Sequence, residues 1–139
     1  MSSPWFIDTA FVIALAPPRD AHHEVALHLS ARASVERIDL VTSDAILLEI
    51  GVAFSRLAFR ASGIEIIAAL RTDPTVEIVS LNSVLFADAV ALLAARTDKE
   101  WSLADCVSFE IMRARGITKA LSTDNHFEQA GFEALMRAH

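Results

Sequence analysis

The 139-residue sequence is poor in cysteine, glycine and proline, and each shortage excludes a class of protein. Its single cysteine, Cys106, cannot form an intrachain disulfide, so a reducing, cytoplasmic location is expected. Only four glycines and four prolines stand beside 53% hydrophobic residues, which excludes a collagen-like repeat, a disordered chain and a linker-rich scaffold. The length is typical of one domain, and we expect a single domain over residues 1–139.

Long hydrophobic runs and positive charge are also scarce. No apolar run approaches the roughly 18 residues that a membrane span needs, so no membrane association is expected. The apolar segment that follows Asp8 has no Lys or Arg before it, which argues against a secretory signal. The chain has 12 basic and 18 acidic residues, a formal net charge of −6. This excludes a protein that holds nucleic acid by bulk positive charge, and a nucleic-acid role would need local charge or a bound metal.

Short strand-like segments alternate with longer helical ones along the chain. The strands are predicted at Trp5–Asp8, Asp39–Thr42, Val76–Ser80, Lys119–Thr123 and Phe132–Met136. Helical segments separate the strands, and no hairpin signal such as Asn-Gly is present. The pattern predicts an α/β, three-layer sandwich with a mostly parallel central sheet of four to five strands flanked by helices.

Capping residues and helix breakers set the expected helix boundaries. A helix that begins at Ser43 is expected to run to about Arg60. The sequence Ser62-Gly-Ile-Glu65 matches a capping box and predicts the start of a separate helix. Pro17-Pro18 should stop the first helix, and Gly116 suits the left-handed end of a helix over residues 103–115. Further N-caps are predicted at Asp20, Asn82 and Ser102.

Four acidic residues interrupt segments that otherwise resemble core. Asp8 and Asp124 are expected at the carboxyl ends of strands, where open parallel sheets bind ligands. Asp105, three residues after the Ser102 cap, can face the same edge, whereas Glu49 must reach back from about 9 Å along its helix. Carboxylates gathered in one cleft repel each other, and hard oxygen ligands select Mg²⁺ or Mn²⁺ to relieve that repulsion. The pattern indicates metal-dependent phosphoryl chemistry.

The same acids could instead point into solvent, as acidic side chains on helices often do. Asp88 lies in the middle of a predicted helix with no access to the sheet edge, and we interpret it as solvated. His22, His23 and His28 lack the i, i+4 spacing of a zinc-binding helix and are interpreted as surface residues. Position along the chain does not decide between the two interpretations of each acid.

Two C-terminal stretches carry the most specific motif, from Trp101-Ser-Leu-Ala-Asp105 to Met112 and from Ala120-Leu-Ser-Thr-Asp124 to Phe132. In order and spacing they resemble the PIN-domain ribonucleases, in particular the VapC-type toxins of bacterial toxin-antitoxin pairs. The segments Phe6-Ile-Asp8-Thr9 and Leu47-Leu-Glu49 resemble the first and second acidic motifs of this family. The resemblance therefore covers nearly the whole chain.

The resemblance implies an endoribonuclease that hydrolyses RNA with a metal-activated water attacking phosphorus in line. The acids implied to catalyse the reaction and to hold one or two Mg²⁺ or Mn²⁺ ions are Asp8, Glu49, Asp105 and Asp124. Supporting hydroxyls are implied at Thr9, Ser102 and Ser122, although Ser102 could be only an N-cap. The implied partners are an RNA substrate, a second copy in a homodimer and a small antitoxin protein. Ala10 departs from the Ser or Asn common in the family, so one contact around the metal is expected to be absent.

Arg56 follows Glu49 by seven residues on the same predicted helical stripe, and it is the expected phosphate contact. A metal-dependent ribonuclease is the leading hypothesis. A non-catalytic PIN-fold module that binds a protein partner is the alternative, with Ala10 as its support. A phosphoacceptor receiver domain is a third possibility, but Asp8-Thr9-Ala10 lacks the paired acids that such a domain needs. The nuclease hypothesis requires the four acids to meet on one face of the molecule.

Overall fold

The computed structural model describes residues 3–17 and 20–137, and its strands form one sheet. They are β1 (Trp5–Ile7), β2 (Leu40–Ser43), β3 (Val76–Val79), β4 (Lys119–Leu121) and β5 (Glu133–Ala134). Their order across the sheet is β3-β2-β1-β4-β5, and every neighbouring pair is parallel. The predicted parallel α/β sandwich is confirmed, with strand ends within two residues of the expected positions.

Helices connect these strands and flank the sheet. In the described part of the chain they are α1 (Thr9–Leu15), α2 (His23–Val35), α3 (Asp44–Ala53), α4 (Leu57–Thr72), α5 (Ser83–Ala95), α6 (Leu103–Arg115) and α7 (Asn125–Gln129). The side chains of Ser43, Asn82 and Ser102 cap α3, α5 and α6 as predicted. Gly116 ends α6 in the left-handed region, with φ of 64°. No helix in these ranges is long and apolar enough to cross a membrane.

Three helix boundaries were predicted wrongly. Helix α3 ends at Ala53, not near Arg60, and α4 runs without interruption through the segment 62–65 that was expected to open a helix. Gly63 lies inside α4 against Phe54, the C-cap of α3: a Cβ at Gly63 would lie 2.5 Å from Cβ of Phe54, so the glycine allows α4 to approach the end of α3 closely. Asp20 does not cap α2, because its carboxylate closes a turn by accepting from the His22 backbone N–H. Helix α1 ends at Leu15, and Pro18 lies outside the described residues.

The connections change direction at β1. The chain winds from β1 to β2 and β3 on one side, then returns to place β4 on the other side of β1. Such a switch point opens a crevice beyond the carboxyl ends of the two strands. Ile7 is in register with Leu121, so Asp8 and Ser122, which follow them, leave the sheet side by side.

Buried aromatic rings hold α6 and α7 against β1. Phe109 of α6 packs edge-on against Phe127 of α7 with ring centroids 5.1 Å apart, and Phe127 lies 6.4 Å from Phe6 of β1. Trp101 extends the cluster at 5.0 Å from Phe109. Each such pair contributes about 0.5–1.5 kcal/mol beyond area burial. The cluster therefore fixes the two helices that begin beside the crevice.

Candidate active site

Asp8 lies between β1 and α1, where the chain leaves the sheet. Its Oδ2 accepts a 2.7 Å hydrogen bond from the Ser122 hydroxyl. Burial raises the pKa of Asp8 from 3.8 to about 6; the Ser122 bond opposes this rise, and the charges of Glu49 and Asp105 add to it. Without a neutralising cation, burial therefore disfavours the ionised form of Asp8 relative to that of a solvent-exposed aspartate.

Ser122 connects the positions of two acids. It is fully buried, and its hydroxyl donates to Asp8 while accepting a 3.0 Å bond from the backbone N–H of Asp124. A hydroxyl group has one proton and two lone pairs, so it makes both bonds at once. Ser122 thereby fixes the Asp8 carboxylate relative to the backbone that carries Asp124.

Glu49 reaches the crevice from the sixth position of α3. Its Oε1 accepts a 3.0 Å hydrogen bond from the hydroxyl of Thr9, the first residue of α1. Burial raises the pKa of Glu49; the Thr9 bond lowers it, and the charges of Asp105 and Asp124 raise it further. Helix α1 packs directly on α3, which brings this deeper helical position to the same edge as Asp8.

Asp105 and Asp124 are held by the starts of their helices. Ser102 and Asp105 form a reciprocal capping box in which each side chain accepts from the other's backbone N–H at 3.0 Å. Ser102 is therefore an N-cap that also holds the Asp105 carboxylate. Asp124 caps α7, where its Oδ1 accepts from the His126 backbone N–H at 2.9 Å. Within the described ranges, Oδ1 of Asp105 and Oδ2 of Asp124 receive no hydrogen bond.

His126 belongs to this cluster and was not predicted from the sequence. Its Nδ1 lies 3.0 Å from Oδ2 of Asp105 and 3.4 Å from Oδ1 of Asp124. The feature that could have identified His126 from the sequence is its position two residues after Asp124, just beyond the predicted fourth strand. The histidines that were weighed lie elsewhere: His23 contacts the Ala14 carbonyl, while His22 and His28 are exposed.

The donor set fits a hard divalent cation. The charges of Glu49 and Asp105 raise the pKa of Asp8, and the charges of Asp105 and Asp124 raise the pKa of Glu49. No Lys or Arg in the described residues pairs with any of the four acids. One ligand atom each from Asp105, Asp124 and His126 lies within 4.8 Å of the others. Clustered carboxylate oxygens without a counter-charge suit Mg²⁺ or Mn²⁺.

The family model of the PIN domain matches residues 5–133. The chain belongs to the PIN-domain family. This PIN domain is 31% identical over 127 residues to the 23S rRNA-specific endonuclease VapC20 of two Mycobacterium tuberculosis strains, covering 91% of this chain and 94% of the relative. The resemblance found in the sequence is confirmed.

Solved structures agree with this assignment. The crystal structure of M. tuberculosis VapC20, described as a sarcin-ricin loop cleaving toxin, matches with a TM-score of 0.79 and 29% identity, over 94% of this chain and 96% of that one. The structure of FitAcB from Neisseria gonorrhoeae matches with a TM-score of 0.60 and 17% identity, over 93% and 94%. The second likeness shows the fold alone.

Arg56 does not lie on the helical stripe of Glu49 that the sequence predicts. In this PIN domain α3 ends at Ala53, and Arg56 is the exposed residue that precedes α4. Glu49 and Arg56 therefore do not share a helical stripe, and a phosphate contact by Arg56 stays a prediction. Asp88 is exposed on α5, in keeping with its interpretation as a solvated acid.

Proposed function

We propose that this PIN domain is a metal-dependent endoribonuclease that hydrolyses RNA phosphodiester bonds, and that the domain spans residues 1–139. The observation that carries the proposal is the meeting of four acids at the switch point of the sheet with no Lys or Arg counter-charge among the described residues. A cluster of this kind is unfavourable unless a cation or protons neutralise it. The endonuclease name of the VapC20 relatives supports the same chemistry.

Each residue has a distinct task in the proposed reaction. Asp8, Glu49, Asp105 and Asp124 would hold one or two Mg²⁺ or Mn²⁺ ions. The bound metal would supply charge neutralisation at the phosphodiester and activation of a water nucleophile. Ser122, Thr9 and Ser102 each hold one carboxylate by a hydrogen bond of 2.7–3.0 Å, so the acids are oriented before substrate arrives.

The proposed substrate class is a structured loop of ribosomal RNA. VapC20 is named as a 23S rRNA-specific endonuclease, and its crystal structure as a sarcin-ricin loop cleaving toxin. With a net charge of −6, this chain has little bulk attraction for phosphate, so recognition would rely on the shape of the loop and on the metal centre. Preferential cleavage of a sarcin-ricin loop oligonucleotide over an unstructured RNA of equal length would support this assignment.

A homodimer is proposed from an apolar surface beside Glu49. Leu48, Val52 and Phe86 are 67%, 74% and 46% exposed and line one cavity of about 540 Å³ between α3, α5 and α6. A cluster of large exposed apolar side chains is typical of an interface. Analytical ultracentrifugation should show a dimer, and Val52→Lys should shift it to monomer. A wild-type monomer at micromolar concentration would contradict the proposal.

We also propose that the enzyme is the toxin of a toxin-antitoxin pair and acts in the cytoplasm. The name of the VapC20 structure supports the toxin role, and Cys106, a buried free cysteine, fits a reducing compartment. A small open reading frame beside the gene, whose product suppresses RNA cleavage when co-expressed, is the expected partner. Co-expression without any effect on cleavage would contradict this part of the proposal.

The central test is RNA cleavage by carboxylate variants. Asp8→Asn and Asp105→Asn should each reduce the cleavage rate in saturating Mn²⁺ by more than about 100-fold, because each removes a charge that holds the cation. Asp88→Asn, on exposed α5, is the matched control and should keep full activity. Cleavage that survives both site variants, or that proceeds equally in excess EDTA, would refute the nuclease.

The alternative hypothesis, a non-catalytic interaction module, predicts the opposite results for RNA cleavage and cation binding. A non-catalytic PIN fold would show no cleavage by the wild-type protein and no divalent-cation binding by calorimetry, alongside an intact fold. Ala10, the second residue of α1, remains its only support.

A further inference from the structure

Within residues 3–17 and 20–137, His126 is the only basic side chain at ion-pair distance from the acid cluster. Its Nδ1 is 3.0 Å from Oδ2 of Asp105, on α6, and 3.4 Å from Oδ1 of Asp124, the cap of its own helix α7. The side chain is 25% exposed. Its backbone N–H donates to Asp124, which fixes the start of α7 and so the position of the ring. The imidazole therefore bridges two acids that come from separate helices.

The direction of the Asp105 hydrogen bond follows from the acceptor. An ionised carboxylate has no proton to donate, so Nδ1 of His126 must carry the proton and donate it. The same Oδ2 of Asp105 also accepts from the Ser102 backbone N–H at 3.0 Å. Two donors on one oxygen fix the plane of this carboxylate. Its Oδ1, which receives no hydrogen bond from the described residues, is the oxygen left to face a cation.

We propose that His126 is a positioning residue for the metal centre: by donating Nδ1–H to Asp105, it orients the other oxygen of that carboxylate toward the cation. This inference rests on the proposed function, because it assumes that the acids hold a divalent ion. It requires no contact between His126 and either the ion or RNA. Partners that orient metal ligands in this way change metal affinity by about 10–100-fold when they are removed.

The test is Mn²⁺ binding by calorimetry at neutral pH for the wild-type protein, His126→Ala, His126→Asn and His126→Gln. The Asn side chain places an N–H close to the position of Nδ1, whereas the longer Gln side chain reaches toward the position of Nε2. We expect His126→Ala and His126→Gln to raise the Kd for Mn²⁺ by about 10-fold or more, and His126→Asn to stay within about threefold of wild type. His28→Ala, on the exposed face of α2, is the control and should leave the Kd unchanged.

The outcomes separate this inference from the proposed function. A wild-type protein that binds no Mn²⁺ overturns both. A wild-type protein that binds Mn²⁺ with the same affinity as His126→Ala overturns the positioning role alone. Equal losses in the Asn and Ala variants also overturn it, because they would indicate that the ring itself ligates the ion. Thermal unfolding in EDTA checks that each variant is folded, and if His126→Ala is not, the Asn and Gln variants decide the question by the same criterion.

Discussion

The charged carboxylate of Asp8 should destabilise the metal-free protein. Asp8→Asn should therefore raise the free energy of unfolding while abolishing RNA cleavage. The pKa of Asp8 is raised from 3.8 to about 6, chiefly by burial. This difference corresponds to about 3 kcal/mol of unfolding free energy that the charged carboxylate costs near pH 7.5. Asn has nearly the same shape, and its Oδ1 can still accept the hydrogen bond of Ser122. Asp8→Asn should therefore raise the free energy of unfolding by about 3 kcal/mol in EDTA at that pH.

The sign of the pH dependence follows from proton binding. Between about pH 4 and pH 6 the folded protein binds a proton at Asp8 that the unfolded chain has released, so the wild-type stability falls as the pH rises through this window. Above about pH 6 the wild-type protein has lost this stability completely, and below about pH 4 it has lost none of it. The advantage of Asp8→Asn should therefore vanish near pH 4 and be full above about pH 7.

Urea unfolding followed by tryptophan fluorescence measures this directly, because Trp5 and Trp101 are both buried. Asp88→Asn, which changes an exposed acid, should alter the unfolding free energy by less than about 0.5 kcal/mol. Adding Mn²⁺ at 100 times its Kd should stabilise the wild-type protein by about 2.7 kcal/mol and leave Asp8→Asn nearly unchanged. An Asp8→Asn protein no more stable than wild type at pH 7.5 in EDTA, or a gain independent of pH, would refute the reasoning.

Two further substitutions test the packing around the site. Ser122→Ala removes the donor to Asp8 and the acceptor of the Asp124 N–H. It should lower the free energy of unfolding by about 1–3 kcal/mol and weaken Mn²⁺ binding measured by calorimetry. Unchanged Mn²⁺ binding would show that the Ser122 hydrogen bond does not orient Asp8. Gly63→Ala would place a Cβ 2.5 Å from Cβ of Phe54 and should destabilise the fold by about 1–3 kcal/mol in urea unfolding. Gly51→Ala is the control for Gly63→Ala, because a Cβ at position 51 meets nothing within 4 Å. This substitution should stabilise α3 by about 0.5–1 kcal/mol. Equal effects of the two substitutions on the free energy of unfolding would contradict the packing argument.

Local chemistry was enough to predict the elements that position the acids. The Ser102 N-cap and Gly116 mark both ends of α6 because these caps are satisfied within one helical turn, whereas the reciprocal bond from Asp105 to the Ser102 backbone appears only in the structure. Alternation of strands and helices without hairpin signals was enough to predict a parallel sheet, since parallel neighbours require long crossovers. The chemical class of the site followed from acids placed beside hydrophobic strands.

Only the tertiary structure decided which residues meet. The close approach of Gly63 in α4 to Phe54 at the end of α3 is a contact that no local pattern shows. The bridge from His126 to Asp105 and the bond from Ser122 to Asp8 join residues 21 and 114 positions apart. Hydropathy and capping act over one or two turns of the chain, whereas these contacts arise from the β1–β4 pairing and from the aromatic packing of α6 on α7. The sequence by itself determined that acids would stand at the sheet's edge, and the fold decided how each carboxylate is held there.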